Sequence, residues 1–157
     1  MKWITRERPK IDRVACPWLI RRFIDVDAEF VFVPAGEVAR RAAEMEATPF
    51  DIEGVRLSHD GPLCSFDAFL AEYQLQDPAL HEIALIVRGA DTARLDLAPQ
   101  AAGLLALSLG LSRMFDDDHE MLRNGFIMYD ALYSWCTETR MESHDWNPQR
   151  TIPIHPR

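Results

Sequence analysis

Residues 1–34, MKWITRERPKIDRVACPWLIRRFIDVDAEFVFVP, read as strand, helix and strand in succession. Lys2, Trp3, Ile4 and Thr5 make a short strand, and the polar run at 6–10 with Pro9 is the turn out of it. Over residues 12–25 the apolar Val14, Ala15, Trp18, Leu19 and Phe23 recur at helical spacing, with Arg13, Arg21 and Arg22 mostly elsewhere. That spacing predicts an amphipathic helix. Pro17 lacks an N–H and is expected in the first turn, where the loss costs little. Residues 29–33, EFVFV, are β-branched and aromatic, and the unbroken run predicts a central strand.

Outward from this stretch the pattern turns helical. Residues 36–47 are rich in Ala and Glu and predict a helix. Residues 49–52 and 55–57 flank Glu53 and Gly54 as a hairpin. The Gly61-Pro62 pair makes 59–64 a loop, after which Ser65 is placed to cap a helix to about residue 73. Pro78 opens a helix expected to stop at 88–91, with Gly89 as terminator, and Pro99 opens a very apolar, buried helix to about residue 112. Asp116, Asp117 and Asp118 cap a last helix that carries Leu122, Phe126, Tyr129, Tyr133 and Cys136 to about residue 139. The fold class is therefore α+β: a helix-dominated single domain with a small β-sheet formed mainly by the N-terminal third and a helical layer over it. Residues 1–139 form the domain, and 140–157, with Pro148, Pro153 and Pro156, an extended arm.

The 157 residues suffice for one core, since a chain of this length buries roughly 70% of its unfolded surface. Composition is that of a globule, with 48% apolar and 27% charged residues. The formal charge of −8 has the wrong sign for phosphate neutralisation, so direct nucleic-acid binding by this chain alone is not expected. Cys16, Cys64 and Cys136 are odd in number and dispersed, which argues against a disulfide framework or a zinc knuckle and for a reducing, cytoplasmic compartment. The N-terminus has no apolar signal core, and the apolar stretch 95–111 is interrupted and too short for a membrane span. Apart from Lys2 and Lys10 the basic residues are arginines, whose planar forks suit carboxylates and oxyanions, although GC-rich coding gives the same skew.

Three segments could carry chemistry. Arg6 or Arg8 leaves the first strand and Arg13 starts the first helix, so helix N–H groups and guanidiniums together would suit an oxyanion such as sulfate or phosphate. The structural alternative pairs Arg13 with a carboxylate such as Asp91 or Asp12 and leaves Arg21 and Arg22 solvated. His59, on a loop beside Asp60 and before Cys64 and Asp67, could bind an oxyanion when protonated, or ligate a metal with Asp67, Cys64 or Asp91 when neutral. Equally it could be a hydrogen-bonded loop histidine. Cys64 reads as a thiol activated at a helix N-terminus or as a small buried hydrophobe, and Cys16 likewise. Cys136 reads as core. Asp116, His119 and Glu120 have the composition of a metal cluster, but helix capping explains them without one.

WITRERPKIDRVACPWLIRRFID (3–25), HDGPLCSFDAF (59–69) and IVRGADT (86–92) resemble the C-terminal domain of ChrB-type chromate resistance proteins, over about residues 1–139. Such proteins are associated with chromate efflux operons, and some are chromate-responsive regulators. In that family this domain usually follows a separate N-terminal domain that this sequence lacks, which agrees with the acidic charge in not implying DNA binding. Taken with the residues, the resemblance implies a cytoplasmic chromate-resistance protein binding an inorganic oxyanion. Arg6, Arg13, His59 and Arg88 would line the site, with Asp91 orienting an arginine and no cofactor required. The alternative is a small metal- or thiol-dependent enzyme using His59, Cys64 and Asp67.

The arm carries Trp146, Ile152 and Ile154, and burying each branched side chain is worth about 1.5–3 kcal/mol. It is expected to pack on a groove of its own domain or of a second copy in a homodimer. Truncation after Met141 should therefore lower the melting temperature or change the mass seen by sizing; a truncated chain unaltered in both would show an unattached tail.

Overall fold

The computed structural model describes residues 1–143, so the arm from His144 onward lies outside the described residues. Three parallel strands form the sheet in the order β2-β1-β3: β1 (Lys2–Arg6), β2 (Glu29–Val33) and β3 (Thr48–Pro49). Lys2 pairs with Glu29 through to Arg6 with Val33, and Trp3 and Ile4 face Thr48 and Pro49. The central strand is thus β1, correcting the expectation for residues 29–33. Trp3, Ile4 and Thr5 are fully buried, whereas β2 is an edge whose apolar run is covered by helix side chains, with Phe30 against Phe126 and Phe32 against His119. The expected hairpin is absent. Thr48 and Pro49 form an edge strand that Pro tolerates, and the chain after them turns tightly so that Asp51 N–H donates to the Leu57 carbonyl at 2.9 Å.

Six α-helices complete the fold: α1 (Asp12–Leu19), α2 (Val38–Met45), α3 (Ser65–Glu72), α4 (Pro78–Asp91), α5 (Ala101–Met114) and α6 (Asp118–Ser134). Alternation along β1 sends Trp3 to one face and Ile4 to the other. Trp3 joins the main core with α1, α3, α4 and α6, while Ile4, Val33, Val38, Ala42 and Ala47 form a smaller core under α2. Helices therefore cover both sheet faces, not one. Trp18, 1% exposed, is the aromatic centre: its ring meets Phe23, Phe66, Tyr129 and Tyr133 at centroid distances of 5.6–6.5 Å, and its indole N–H donates to Asp130 at 2.8 Å.

Several local expectations change. Pro17 is the sixth residue of α1 and not in its first turn, so the Arg13 carbonyl loses its helical donor; tertiary packing of a wholly buried face holds the helix. Past Leu19 the helix widens into a π turn (Ile20–Ile24), closed by Asp25 N–H to the Ile20 carbonyl at 2.7 Å. Cys64, not Ser65, is the N-cap of α3. Gly89 is helical and packs: a Cβ there would meet Ala101 Cβ at 2.9 Å and the Arg94 carbonyl at 3.0 Å. Far from being buried, α5 leaves Leu107 and Met114 59% and 72% exposed. Asp117 caps α6 by accepting the Glu120 N–H, and Asp118 accepts the Arg8 N–H, so the acidic run acts through backbone contacts. Arg8 itself closes α5, donating to the carbonyls of Ser112, Phe115 and Asp116. Among the described residues no helix is long and apolar enough to cross a membrane.

The helices α1 and α6 touch where Gly125 leaves no side chain, since a Cβ there would stand 2.5 Å from Val14 Cγ1. Gly125→Ala should therefore cost about 1–3 kcal/mol in urea unfolding, and distinctly less in a Val14→Ala background. An equal cost in both backgrounds would place the strain elsewhere. Trp18→Ala should cost about 3–5 kcal/mol by the same measurement.

Candidate functional site

Several elements deliver polar groups to one place beside the end of β1. Arg6 is the last residue of β1, Asp12 the first of α1, Ser65 the first of α3 and Asp91 the last of α4. Asp51 follows β3, and His59 lies in the loop before α3. The Asp51 carboxylate joins them: its Oδ2 lies 2.6 Å from Arg6 Nη2 and 3.2 Å from Arg13 Nε, and its Oδ1 accepts the Ser65 hydroxyl at 2.8 Å. Its backbone adopts φ 51°, a left-handed conformation that Asp tolerates better than most residues.

The residue before α1 is strained. Ile11 has φ 41° and ψ −104°, which for a β-branched residue costs on the order of 1–3 kcal/mol. Three donors hold its carbonyl: the Tyr129 hydroxyl at 3.0 Å and the N–H groups of Val14 and Ala15 at 3.1 and 2.9 Å. Asp12 follows with its side chain in the interior, 2% exposed, where it accepts the Ser65 N–H at 3.3 Å. The His59 Nε2 then stands 3.2 Å from Asp12 Oδ2, 3.2 Å from Asp91 Oδ2 and 3.4 Å from Asp51 Oδ1.

Electrostatics follow from this crowding. The Asp12 carboxylate, by hydrogen bonding and by charge, raises His59 to about 9 against the opposing effect of burial, with Asp91 and Asp51 adding to it. Burial and then the Asp12 charge push Asp91 up to about 7, with His59 opposing. Asp51 is likewise raised, by burial first and Asp12 second, while Ser65 and Arg6 pull it down. Burial and neighbouring Arg6 lower Arg13, against Asp51. The open side of the group is a cleft of about 490 Å³ lined by Arg6, Asp51, His59, Ser58 and the turn at 52–55.

Of the residues expected in a site, Arg6, Arg13, His59 and Asp91 come together. Asp12 and Asp51 join them without having been anticipated as site members. Asp12 stood in the first motif as a helix start and as one carboxylate that Arg13 could pair with, and Asp51 carried no sequence signal because its region read as a strand. Arg88 is directed elsewhere, its Nε 3.7 Å from Asp67 Oδ2. Asp67 accepts the Cys64 N–H at 3.1 Å and the thiol at 3.4 Å, which makes this trio part of the α3 cap. Burial, then Asp67, pushes the Cys64 thiol well up. His119 packs on Phe32, away from the cleft. The Asp12, His59 and Asp91 donor atoms all lie within 4.8 Å of one another, a spacing that could hold a metal ion.

Comparison with known proteins accords with the three motifs. Residues 3–136 match the family described as ChrB, C-terminal domain. The protein ChrB of Cupriavidus metallidurans (strain ATCC 43123 / DSM 2839 / NBRC 102507 / CH34) is 32% identical over 140 residues, covering 88% of this chain and 42% of that protein. The chain thus spans about two-fifths of the length of the curated relative it matches. No solved structure matches it. With nearly the whole described domain inside the match, the chain belongs to the ChrB C-terminal domain family, whose chromate-resistance members its motifs resemble.

Proposed function

We propose that this domain binds an inorganic oxyanion of the chromate class in the cleft beside β1, as the sensing or binding part of a cytoplasmic chromate-resistance system. One observation supports the reading: within the polar group Arg6 and His59 reach furthest into the cleft and the three carboxylates are largely covered, with Glu53 on the lining turn as an exposed acid at the rim. The side chains of Arg6 and His59 are 40% and 41% exposed, against 3% for both Asp12 and Asp51 and 15% for Asp91. An incoming anion meets a guanidinium fork and an imidazolium, two donors suited to tetrahedral oxygens. Arg13 is the second guanidinium, engaged behind Arg6 by Asp51 and by the carbonyls of Arg6 and Glu7. Asp91, expected to orient an arginine, stands instead 3.2 Å from His59 Nε2 and adds to the effect of Asp12 in keeping it charged. Arg88 has no part in this reading, since Asp67 takes it.

The thiol-dependent alternative finds less support, because Cys64 is buried, held protonated and used as a cap. Free cysteines support a reducing compartment. Exposed Leu107, Met114 and Ile127 support association with a second copy, the expected homodimer.

Arg6→Ala and His59→Ala should each weaken chromate and sulfate binding at least tenfold in calorimetric titration while the melting profile stays cooperative. Variants that bind like the unaltered chain would sink the reading. The pH dependence has a definite sign. His59 is raised from 6.5 to about 9, so its positive charge is complete below about 6.5 and is lost as pH rises through about 9. Anion affinity should fall as pH rises through about 9, the part of the stability that His59 contributes should decline between about pH 6.5 and 9, and His59→Ala should flatten both curves.

A further inference from the structure

We propose that Asp12, His59 and Asp91 form a site for one divalent first-row metal ion of the Mn²⁺, Fe²⁺ or Zn²⁺ class, with Asp51 as a neighbouring fourth carboxylate. The geometry is that of ligands around a common point. One imidazole nitrogen faces three carboxylate oxygens at 3.2, 3.2 and 3.4 Å. A single N–H can be directed at only one of them, yet the three spacings are nearly equal. Atoms bound at right angles to one ion at about 2.1 Å stand about 3.0 Å apart, close to these spacings.

The partners of the carboxylates point the same way. Arg6 and Arg13 are both committed to Asp51. Among the described residues neither Asp12 nor Asp91 has an arginine or lysine partner, and His59 is the basic group they share. Asp12 is 2% exposed, and a buried carboxylate needs a counter-charge. In the metal-free chain a protonated imidazole balances the three carboxylates together with the two guanidiniums; once it gives up its proton to serve as a ligand, the carboxylates outnumber the guanidiniums by one charge. A divalent ion reverses that deficit and leaves the open face of the cleft positive.

Chemistry of the donors selects the class of ion. One imidazole and two or three carboxylates form a nitrogen and oxygen set, suited to borderline and hard divalent ions and not to soft monovalent copper. Among the described residues no cysteine sulfur joins the Asp12, His59 and Asp91 donor atoms, so the set stays one of nitrogen and oxygen. Each ligand stands on a different element, α1, α4 and the loop before α3, and all three elements are packed into one domain. The inference does not require the oxyanion reading, but both use His59 Nε2: a bound ion takes its lone pair, so in the loaded chain the ion and Arg6, and not an imidazolium, would meet an anion.

The test uses the full chain, tag-free and stripped with chelator, titrated with Mn²⁺ by electron paramagnetic resonance and with Zn²⁺ by calorimetry. One ion per chain is expected, with affinity at least tenfold weaker in Asp91→Asn and His59→Ala, whose side chains are partly exposed and whose folding circular dichroism can verify. Asp116→Asn, in the acidic run before α6, should bind like the unaltered chain. An unaltered chain that takes up no ion at stoichiometric concentration, or variants at His59 and Asp91 that bind as it does, would overturn the site. Sulfate titration of the stripped and loaded chain separates the two readings: anion binding without metal uptake overturns the metal site alone, and metal uptake without anion binding overturns the oxyanion reading alone.

Discussion

Asp51 is where the chain's distant parts are made to agree. Its carboxylate reaches the end of β1 through Arg6, the start of α1 through Arg13 and the start of α3 through the Ser65 hydroxyl. A charge 3% exposed is tolerated only with its partners in place, because the desolvation penalty of a lone buried carboxylate exceeds what packing nearby can offset. The strand, two helix starts and the turn after β3 are therefore placed with respect to one another by one group. Packing around Trp18 sets how tightly the helices close, and the Asp51 pairs set which of their ends meet.

An acidic chain presents a cationic front by layering its charges. The formal charge of −8 is spread over the surface, with Arg40 and Glu44 or Arg94 and Asp96 pairing in water where such pairs contribute little. At the cleft the order is inverted: carboxylates lie inside and the imidazole and guanidinium outside. Asp91 stands at a helix C-terminus, which does not favour negative charge, and burial followed by the Asp12 charge raises its carboxyl to about 7.

Much of this was legible in the sequence, for identifiable reasons. Helical spacing of apolar residues revealed α1 and α6, while α3, α4 and α5 were read from cap residues, the opening prolines Pro78 and Pro99, and apolar composition. The central strand was misplaced because an apolar run of five reports burial, not the number of strand neighbours; β1, shorter in apolar content, has two. β3 comprises two residues and leaves no pattern to read. Arg6, Arg13, His59 and Asp91 were recognisable because each lies in a motif or at the boundary of an element. Asp51 was not, since its importance comes wholly from what folds against it, and the same holds for Gly89, whose role is fixed by Ala101 and not by its local sequence.

The site's members run from residue 6 to residue 91 and have no local subset that could assemble alone. A fragment ending before α4 would lack Asp91, and one beginning after β1 would lack both Arg6 and the strand that aligns α1. Any occupant of the cleft is consequently bound to the cooperative unit as a whole, and its binding free energy is delivered to global unfolding and not to a loop. On the proposed oxyanion reading this makes the folded population itself depend on ligand: filling the cleft lowers the unfolded fraction open to proteolysis, so abundance would rise with ligand without any change in synthesis.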